Sequence, residues 1–148
     1  MSRIISFRGK LSDGEVETIA LQTNNGLTGY QIVKFQIIPQ KAVTTANESV
    51  IQIFKTQASA VPSLEIDFSN NRLLAVGIYS NQTDTTYYPD DMNIVFESEK
   101  FNQDIYITHK QGTGSGECNY YLELKQMSLD LNEQTVATLK DIRNVGAE

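Results

Sequence analysis

The chain is poor in the residues that build most enzyme and metal sites. Its 148 residues include one cysteine, one histidine and no tryptophan. The single cysteine, Cys118, excludes an intramolecular disulfide and every metal site that needs several cysteines. The lack of tryptophan counts against a sugar-binding platform. We therefore expect no catalytic residues, no metal and no cofactor.

Positive charge and long apolar runs are also scarce. The 12 basic residues are outnumbered by 18 acidic ones, which gives a net charge of −6 at pH 7. This balance disfavours nucleic acid or an anionic membrane as the main partner. We interpret the one local basic cluster, Arg3, Arg8 and Lys10, as a solvated strand face. No apolar run reaches the roughly 18–20 residues of a membrane helix, and the charged N-terminus predicts no signal peptide.

The remaining candidates for chemistry each lack an essential part. His109 and Cys118 flank a glycine-rich segment and form the best enzymatic pair, but no third group supports a nucleophile. Both are interpreted as structural residues, with Cys118 buried. Residues 112–116 (GTGSG) lack the Lys-Ser/Thr that completes a phosphate-binding loop. Calcium is disfavoured because no Asp-rich loop motif frames the available carboxylates, which are Asp84, Asp90, Asp91 and Asp104.

The dominant pattern is an alternation of apolar and polar residues with a period of two, which is typical of β-strands. It predicts strands at residues 3–8, 15–22, 29–38, 49–56, 64–68, 72–80, 92–97, 104–109 and 118–127. The turn at Gly14 predicts a hairpin made by the first two strands. The three glycines within residues 110–117 predict a mobile hairpin tip.

One helix is predicted at about residues 132–144. Asn132 is suited to cap its N-terminus and Gly146 to end it, and a narrow apolar stripe lies between them at Val136, Leu139 and Ile142. Together these patterns predict a single domain over residues 1–148. The expected fold is all-β, an antiparallel β-sandwich of jelly-roll type with nine or ten strands and one short C-terminal helix.

Two segments are candidates for contact with other proteins. Tyr87 and Tyr88 precede Pro89 in a long polar loop, where the strand pattern offers no core to receive them. The stripe of the predicted helix is the second candidate. Its three apolar side chains either seal the open end of their own sandwich or face a partner.

Several stretches of the chain resemble small virion structural proteins of tailed phages, marine ones above all. They are residues 3–11 (RIISFRGKL), 29–35 (GYQIVKF), 101–106 (FNQDIY), 119–124 (NYYLEL) and 138–144 (TLKDIRN). The resemblance implies a non-enzymatic assembly role, with capsid decoration or cementing favoured and a tail or baseplate component as the alternative. It implies other virion proteins as partners, the major capsid protein first, for a protein made in the host cytoplasm and carried in the virion.

We also expect the chain to form a homo-oligomer, because the exposed edge strands of a β-sandwich must be covered or blunted. A ligand-binding or carbohydrate-binding β module is the competing interpretation from another functional class.

Overall fold

The alternating segments form eight β-strands in the computed structural model. The structure describes residues 3–21, 26–41, 47–81, 90–96, 99–113, 116–129 and 138–139. The strands are β1 (Arg3–Leu11), β2 (Val16–Ile19), β3 (Thr28–Pro39), β4 (Asn47–Phe54), β5 (Leu73–Asn81), β6 (Asp90–Val95), β7 (Ile105–Thr113) and β8 (Cys118–Ser128). None of the helices that the described residues form is long and apolar enough to cross a membrane.

The strands form two antiparallel sheets. The smaller sheet has the order β1-β8-β3, and the larger has the order β2-β7-β4-β5-β6. The prediction of an all-β, antiparallel fold is therefore confirmed. The structure describes eight strands, so the expected count of nine or ten is not reached in this part of the chain.

Both sheets contribute to one buried cluster. The smaller sheet supplies side chains such as Ile32, Phe35 and Leu122, and the larger supplies side chains such as Ile51 and Ile107. The core residues of β4, β7 and β8 occupy alternate positions, which point to one side of a sheet. In β3, a register shift between Ile32 and Lys34 places both Ile32 and Phe35 in the core. Gly77 lies where this packing is tight, because an added Cβ would sit 3.0 Å from atoms of both Phe35 and Ile37.

The predicted hairpin between the first two strands is wrong. β1 pairs with β8 along its whole length, from Arg3 opposite Gln126 to Leu11 opposite Cys118, whereas β2 pairs with β7. The turn itself is present, with Gly14 at a φ of 81°. Its backbone carries the chain from the smaller sheet to the larger one, so the tight turn connects two sheets and not two paired strands.

The predicted strand at residues 64–68 is also wrong. This sequence belongs to an irregular segment, residues 57–71, that lies over the outer face of the larger sheet and is called the cover segment below. Gln52 on β4 holds it there, because its side-chain amide donates to the carbonyl oxygens of Ser63 and Glu65 at 3.3 and 3.1 Å. Ile66 packs into a second apolar cluster beneath it, formed around Phe54 and Val76.

The glycine-rich segment does not form a hairpin tip. β7 extends to Thr113 and pairs with β4, while β8 begins at Cys118 and pairs with β1 and β3. Residues 114–117 therefore join the two sheets. Of the predicted helix at 132–144, only residues 138 and 139 are described, and two residues do not test it.

Candidate contact surfaces

Most residues predicted to make contacts lie outside the part of the chain that the structure describes. These are Tyr87, Tyr88, Pro89, Val136 and Ile142. The chain leaves the larger sheet after Asn81 and enters it again at Asp90, which places the ends of the tyrosine-bearing segment at the β5–β6 edge. Leu139 is described, and its side chain is 53% exposed.

The open side of the smaller sheet carries an unexpected concentration of positive charge. Alternate residues of β1 and β8 point away from the core there, as do the residues of β3 on each side of its register shift at Val33, and we call this surface the basic face. Its outward residues are Ile4, Ser6, Arg8, Lys10, Gln31, Val33, Lys34, Gln36, Ile38, Asn119, Tyr121, Glu123 and Lys125. Four of them are cations and one is a carboxylate, which makes the basic face +3 in a chain of net charge −6. The rest of the chain therefore carries −9.

Tyr121 is at the centre of the basic face. The Lys34 ammonium lies 5.8 Å from the centroid of its ring, within the range of a cation–π contact. Its hydroxyl donates to Glu123 Oε2 at 2.7 Å, and this hydrogen bond is the main cause that raises the pKa of Tyr121. The carboxylate of Glu123 is thus engaged within the face, and Lys10 at its edge lies 3.8 Å from the carboxylate of Glu117.

A shallow depression of about 550 Å³ opens on the basic face. Arg8, Lys10, Gln36, Ile38, Asn119 and Tyr121 are among its lining residues. Beneath it, Gly9 allows close packing of Tyr120, because a Cβ at Gly9 would meet the ring of Tyr120 at 2.8 Å. Tyr120 is buried and its hydroxyl donates to Glu17 Oε1 at 3.0 Å, which connects the smaller sheet to β2 of the larger one.

The outer side of the larger sheet presents a surface of the opposite character. The cover segment exposes Val61, Leu64 and Phe68, and Met92 on β6 is exposed on the same side of the sheet. Glu65 and Asp67 are also exposed and lie between Leu64 and Phe68 in the sequence. We call these six residues the acidic patch. Hydrogen bonds from the side chain and backbone of Ser69 lower the pKa of Asp67, so this carboxylate stays ionised.

His109 belongs to a buried polar cluster between the sheets. It is fully buried, with Nδ1 3.0 Å from the carbonyl oxygen of Leu11 and Nε2 3.1 Å from Gln111 Oε1. Ser49 donates to the same Gln111 oxygen at 2.7 Å, and the Gln111 amide donates to Asn47 Oδ1 at 3.1 Å. These bonds link β4, β7 and the end of β1, which is a structural use of a buried polar network.

Cys118 is also fully buried, and the thiol donates to the carbonyl oxygen of Asn119 at 3.6 Å. Burial raises the pKa of the thiol to about 12. Because the thiolate is the nucleophilic form, such a thiol is unreactive near neutral pH. The two residues are on different sheets, and their surroundings fit the structural role predicted for both.

The carboxylates considered for calcium do not form a cluster in the described part of the chain. Asp104 instead accepts a hydrogen bond from the backbone of Leu21 at 2.8 Å. Among the described residues, no group of three or more His, Cys, Asp or Glu side chains is arranged to hold a metal ion. Asp84 and the side chain of Asp90 lie outside those residues.

The sequence matches no known protein family and no curated protein. Among solved structures, a subunit of the Bacillus endospore appendages, which form disulfide-linked pili, is similar at 10% identity and a TM-score of 0.36, over 88% of this chain and 92% of that one. A chain from the maize chlorotic mottle virus particle is similar at 5% identity and a TM-score of 0.36, over 87% and 95%. Because both TM-scores are low, neither likeness identifies the fold or the function of this chain.

The basic face could have been found only in part from the sequence. The local cluster in the sequence is Arg3, Arg8 and Lys10, whereas Lys34 and Lys125 are distant in the chain. They join that cluster because β1 and β3 both pair with β8. The signal that was available is the placement of all four cations at outward positions of alternating strands.

Proposed function

We propose that this chain is a non-enzymatic virion structural protein, with a jelly-roll β-sandwich that decorates or cements the capsid of a tailed phage. Its partners are other virion proteins, the major capsid protein first, and further copies of itself. It acts in the virion, after synthesis in the host cytoplasm, and a place in the tail or baseplate is the alternative.

The order of the strands supports the jelly-roll assignment. An eight-stranded jelly roll is a long antiparallel ribbon that is rolled up, so that its first strand pairs with its last and its second with its seventh. Three of the four ribbon pairs are hydrogen-bonded here, namely β1–β8, β2–β7 and β4–β5. The fourth pair, β3 and β6, lies close together without forming a ladder, because β6 pairs with β5.

The observation that carries the functional proposal is the placement of exposed apolar side chains. Seven of the nine large hydrophobic side chains exposed in the described residues belong to the two outer faces. Three are on the basic face and four on the acidic patch: Ile4, Val33 and Ile38, then Val61, Leu64, Phe68 and Met92. Exposed apolar side chains set among charged ones are typical of protein contact surfaces. Those of the acidic patch come mostly from one segment, whereas Ile4 and Ile38 lie at opposite ends of the basic face.

We propose that attachment to the particle uses the segment with Tyr87, Tyr88 and Pro89, together with the stripe of Val136, Leu139 and Ile142. Tyrosine suits this role because it buries a large area while its hydroxyl remains available for hydrogen bonds. A lasting attachment buries at least about 1,000 Å², so one loop needs a second element or several copies beside it.

The test is a double substitution, Tyr87→Ala with Tyr88→Ala, measured as occupancy on purified particles. We expect occupancy to fall at least about tenfold, because hot-spot tyrosines contribute most of the binding energy of an interface. Thr85→Ala with Thr86→Ala is the matched control and should keep wild-type occupancy.

Circular dichroism first verifies that both variants are folded. Separate measurements on capsids and on isolated tails distinguish the two locations. Wild-type occupancy of a folded tyrosine variant would place the attachment surface elsewhere. Absence of the wild-type protein from both capsids and tails would overturn the proposed function itself.

A further inference from the structure

The basic face and the acidic patch lie on opposite outer sides of the domain and are complementary in charge. One belongs to the open side of the smaller sheet, and the other covers the outer side of the larger sheet. We propose that copies of this chain associate head to tail, with the basic face of one copy bound to the acidic patch of the next. This inference rests on the proposed role in assembly and names a second copy of the chain as the partner.

Charge complementarity is the first argument for this partner. The outward residues of the basic face sum to +3, whereas the acidic patch carries −2 through Glu65 and Asp67, so the two surfaces are of opposite sign. Complementary charges speed encounter and fix orientation, while like charges brought together are costly. A symmetric contact between two basic faces would place Arg8, Lys10 and Lys34 against the same residues of the other copy. Head-to-tail contact avoids this repulsion.

Exposed apolar side chains on both surfaces also favour this contact. Each surface has an exposed apolar side chain. Ile38 is 60% exposed on the basic face, and Phe68 is 55% exposed on the acidic patch. Phe68 is held in place by an edge-to-face contact with Phe96, with ring centroids 5.3 Å apart. A contact that covers these side chains adds a hydrophobic contribution to the charge pairing.

The shapes of the two surfaces also favour this contact. The basic face holds the depression of about 550 Å³ lined by Arg8, Gln36 and Tyr121. The cover segment is an added layer on its sheet, so its exposed side chains project from the domain. A weak but specific contact needs about 500 Å² from each copy, which is a small part of the 8267 Å² that the chain exposes. Because the two surfaces differ, repeated contact gives a ring or an open filament.

The experiment uses single charge reversals on the purified chain, followed by sedimentation velocity over a range of concentrations. Arg8→Glu changes the basic face, and Glu65→Lys changes the acidic patch. Lys100→Glu is the matched control, because Lys100 is exposed and belongs to neither surface. We expect wild type to form species larger than dimers as concentration rises, and added salt to reverse this. Either reversal should weaken association at least about tenfold, and the control should behave as wild type.

Mixing the two variants is the decisive measurement. The Arg8→Glu variant keeps its native acidic patch, which can bind the native basic face of the Glu65→Lys variant. The altered basic face of Arg8→Glu is in turn complementary in charge to the altered patch of Glu65→Lys. A head-to-tail contact therefore predicts that the equimolar mixture recovers large species that neither variant forms alone. A symmetric contact between like faces predicts no recovery, and that result would overturn the proposal.

Two further outcomes would also overturn the proposed head-to-tail association. A chain that stays monomeric at all concentrations in low salt has no self-association to explain. Loss of particle binding by Arg8→Glu, without any change in self-association, would assign the basic face to a shell protein. A monomeric chain would remove self-association from the proposed function, whereas attachment to the particle is measured separately through Tyr87 and Tyr88.

Discussion

The two sheets differ in what covers their outer faces. The outer side of the larger sheet is apolar around Phe54, Val76 and Ile78, and the cover segment lies over it. The outer side of the smaller sheet carries polar and charged residues and stays open to solvent. The difference follows from the strand sequences: β4 and β5 are apolar on both faces, whereas β3 and β8 alternate. A sheet that is apolar on both sides needs two coverings, and the domain supplies the second one from its own chain.

The largest expected effect concerns the apolar cluster beneath the cover segment. Phe54 is 5% exposed and packs there against Leu73 and Val76. Phe54→Ala should lower the free energy of unfolding by about 3–5 kcal/mol, because it removes buried contacts and leaves a cavity. Tyr121→Ala, on the open face, should cost about 1 kcal/mol or less. Urea denaturation of both variants measures the difference, and equal losses would show that the covered cluster contributes no more than the open face.

Two ion pairs, one with a buried lysine and one exposed, allow a second comparison of covered and open regions. Lys55 lies 2.8 Å from Glu99, with side chains 3% and 31% exposed, whereas Lys10 lies 3.8 Å from Glu117, with side chains 43% and 39% exposed. Glu99→Gln leaves the buried ammonium without its counter-charge and should cost about 2–3 kcal/mol, reduced because Glu99 is itself partly exposed. Glu117→Gln should cost about 0–1 kcal/mol, as water screens that pair.

Thermal and urea unfolding of the two glutamine variants give these values. Similar small losses in both would mean that water reaches the Lys55 ammonium in solution. The contrast between a covered and an open surface would then not extend to the charged groups.

The smallest expected effect concerns the bonds that hold the cover segment. Gln52→Met keeps the length of the side chain but removes the two hydrogen bonds to Ser63 and Glu65. We expect a loss of about 1–2 kcal/mol, since two carbonyl oxygens lose a buried donor. Hydrogen exchange should increase within residues 57–71. Gln36→Met on the open face is the matched control and should change stability by no more than about 0.5 kcal/mol. Unchanged exchange in the Gln52 variant would mean that apolar packing alone retains the segment.

Local patterns in the sequence are enough to predict the class of the fold and most of the strands. The windows at 29–38 and 118–127 match β3 and β8 with boundaries within one residue. In β8 alternation also indicates which side chains face the core, whereas in β3 a register shift between Ile32 and Lys34 changes the side that faces it. The predicted strands at 49–56 and 72–80 lie within two residues of β4 and β5. These conclusions need only local information.

The pairing of the strands and the position of the cover segment depend on contacts between distant parts of the chain. Leu11 is opposite Cys118, more than a hundred residues later, and no local pattern specifies such a partner. The alternation in residues 64–68 fits a strand, but the sheet offers it no free edge there, and Gln52 binds its backbone from below. The basic face likewise exists only once β1 and β3 flank β8. Register and pairing are set by packing between distant segments, which is why alternation alone could not fix them.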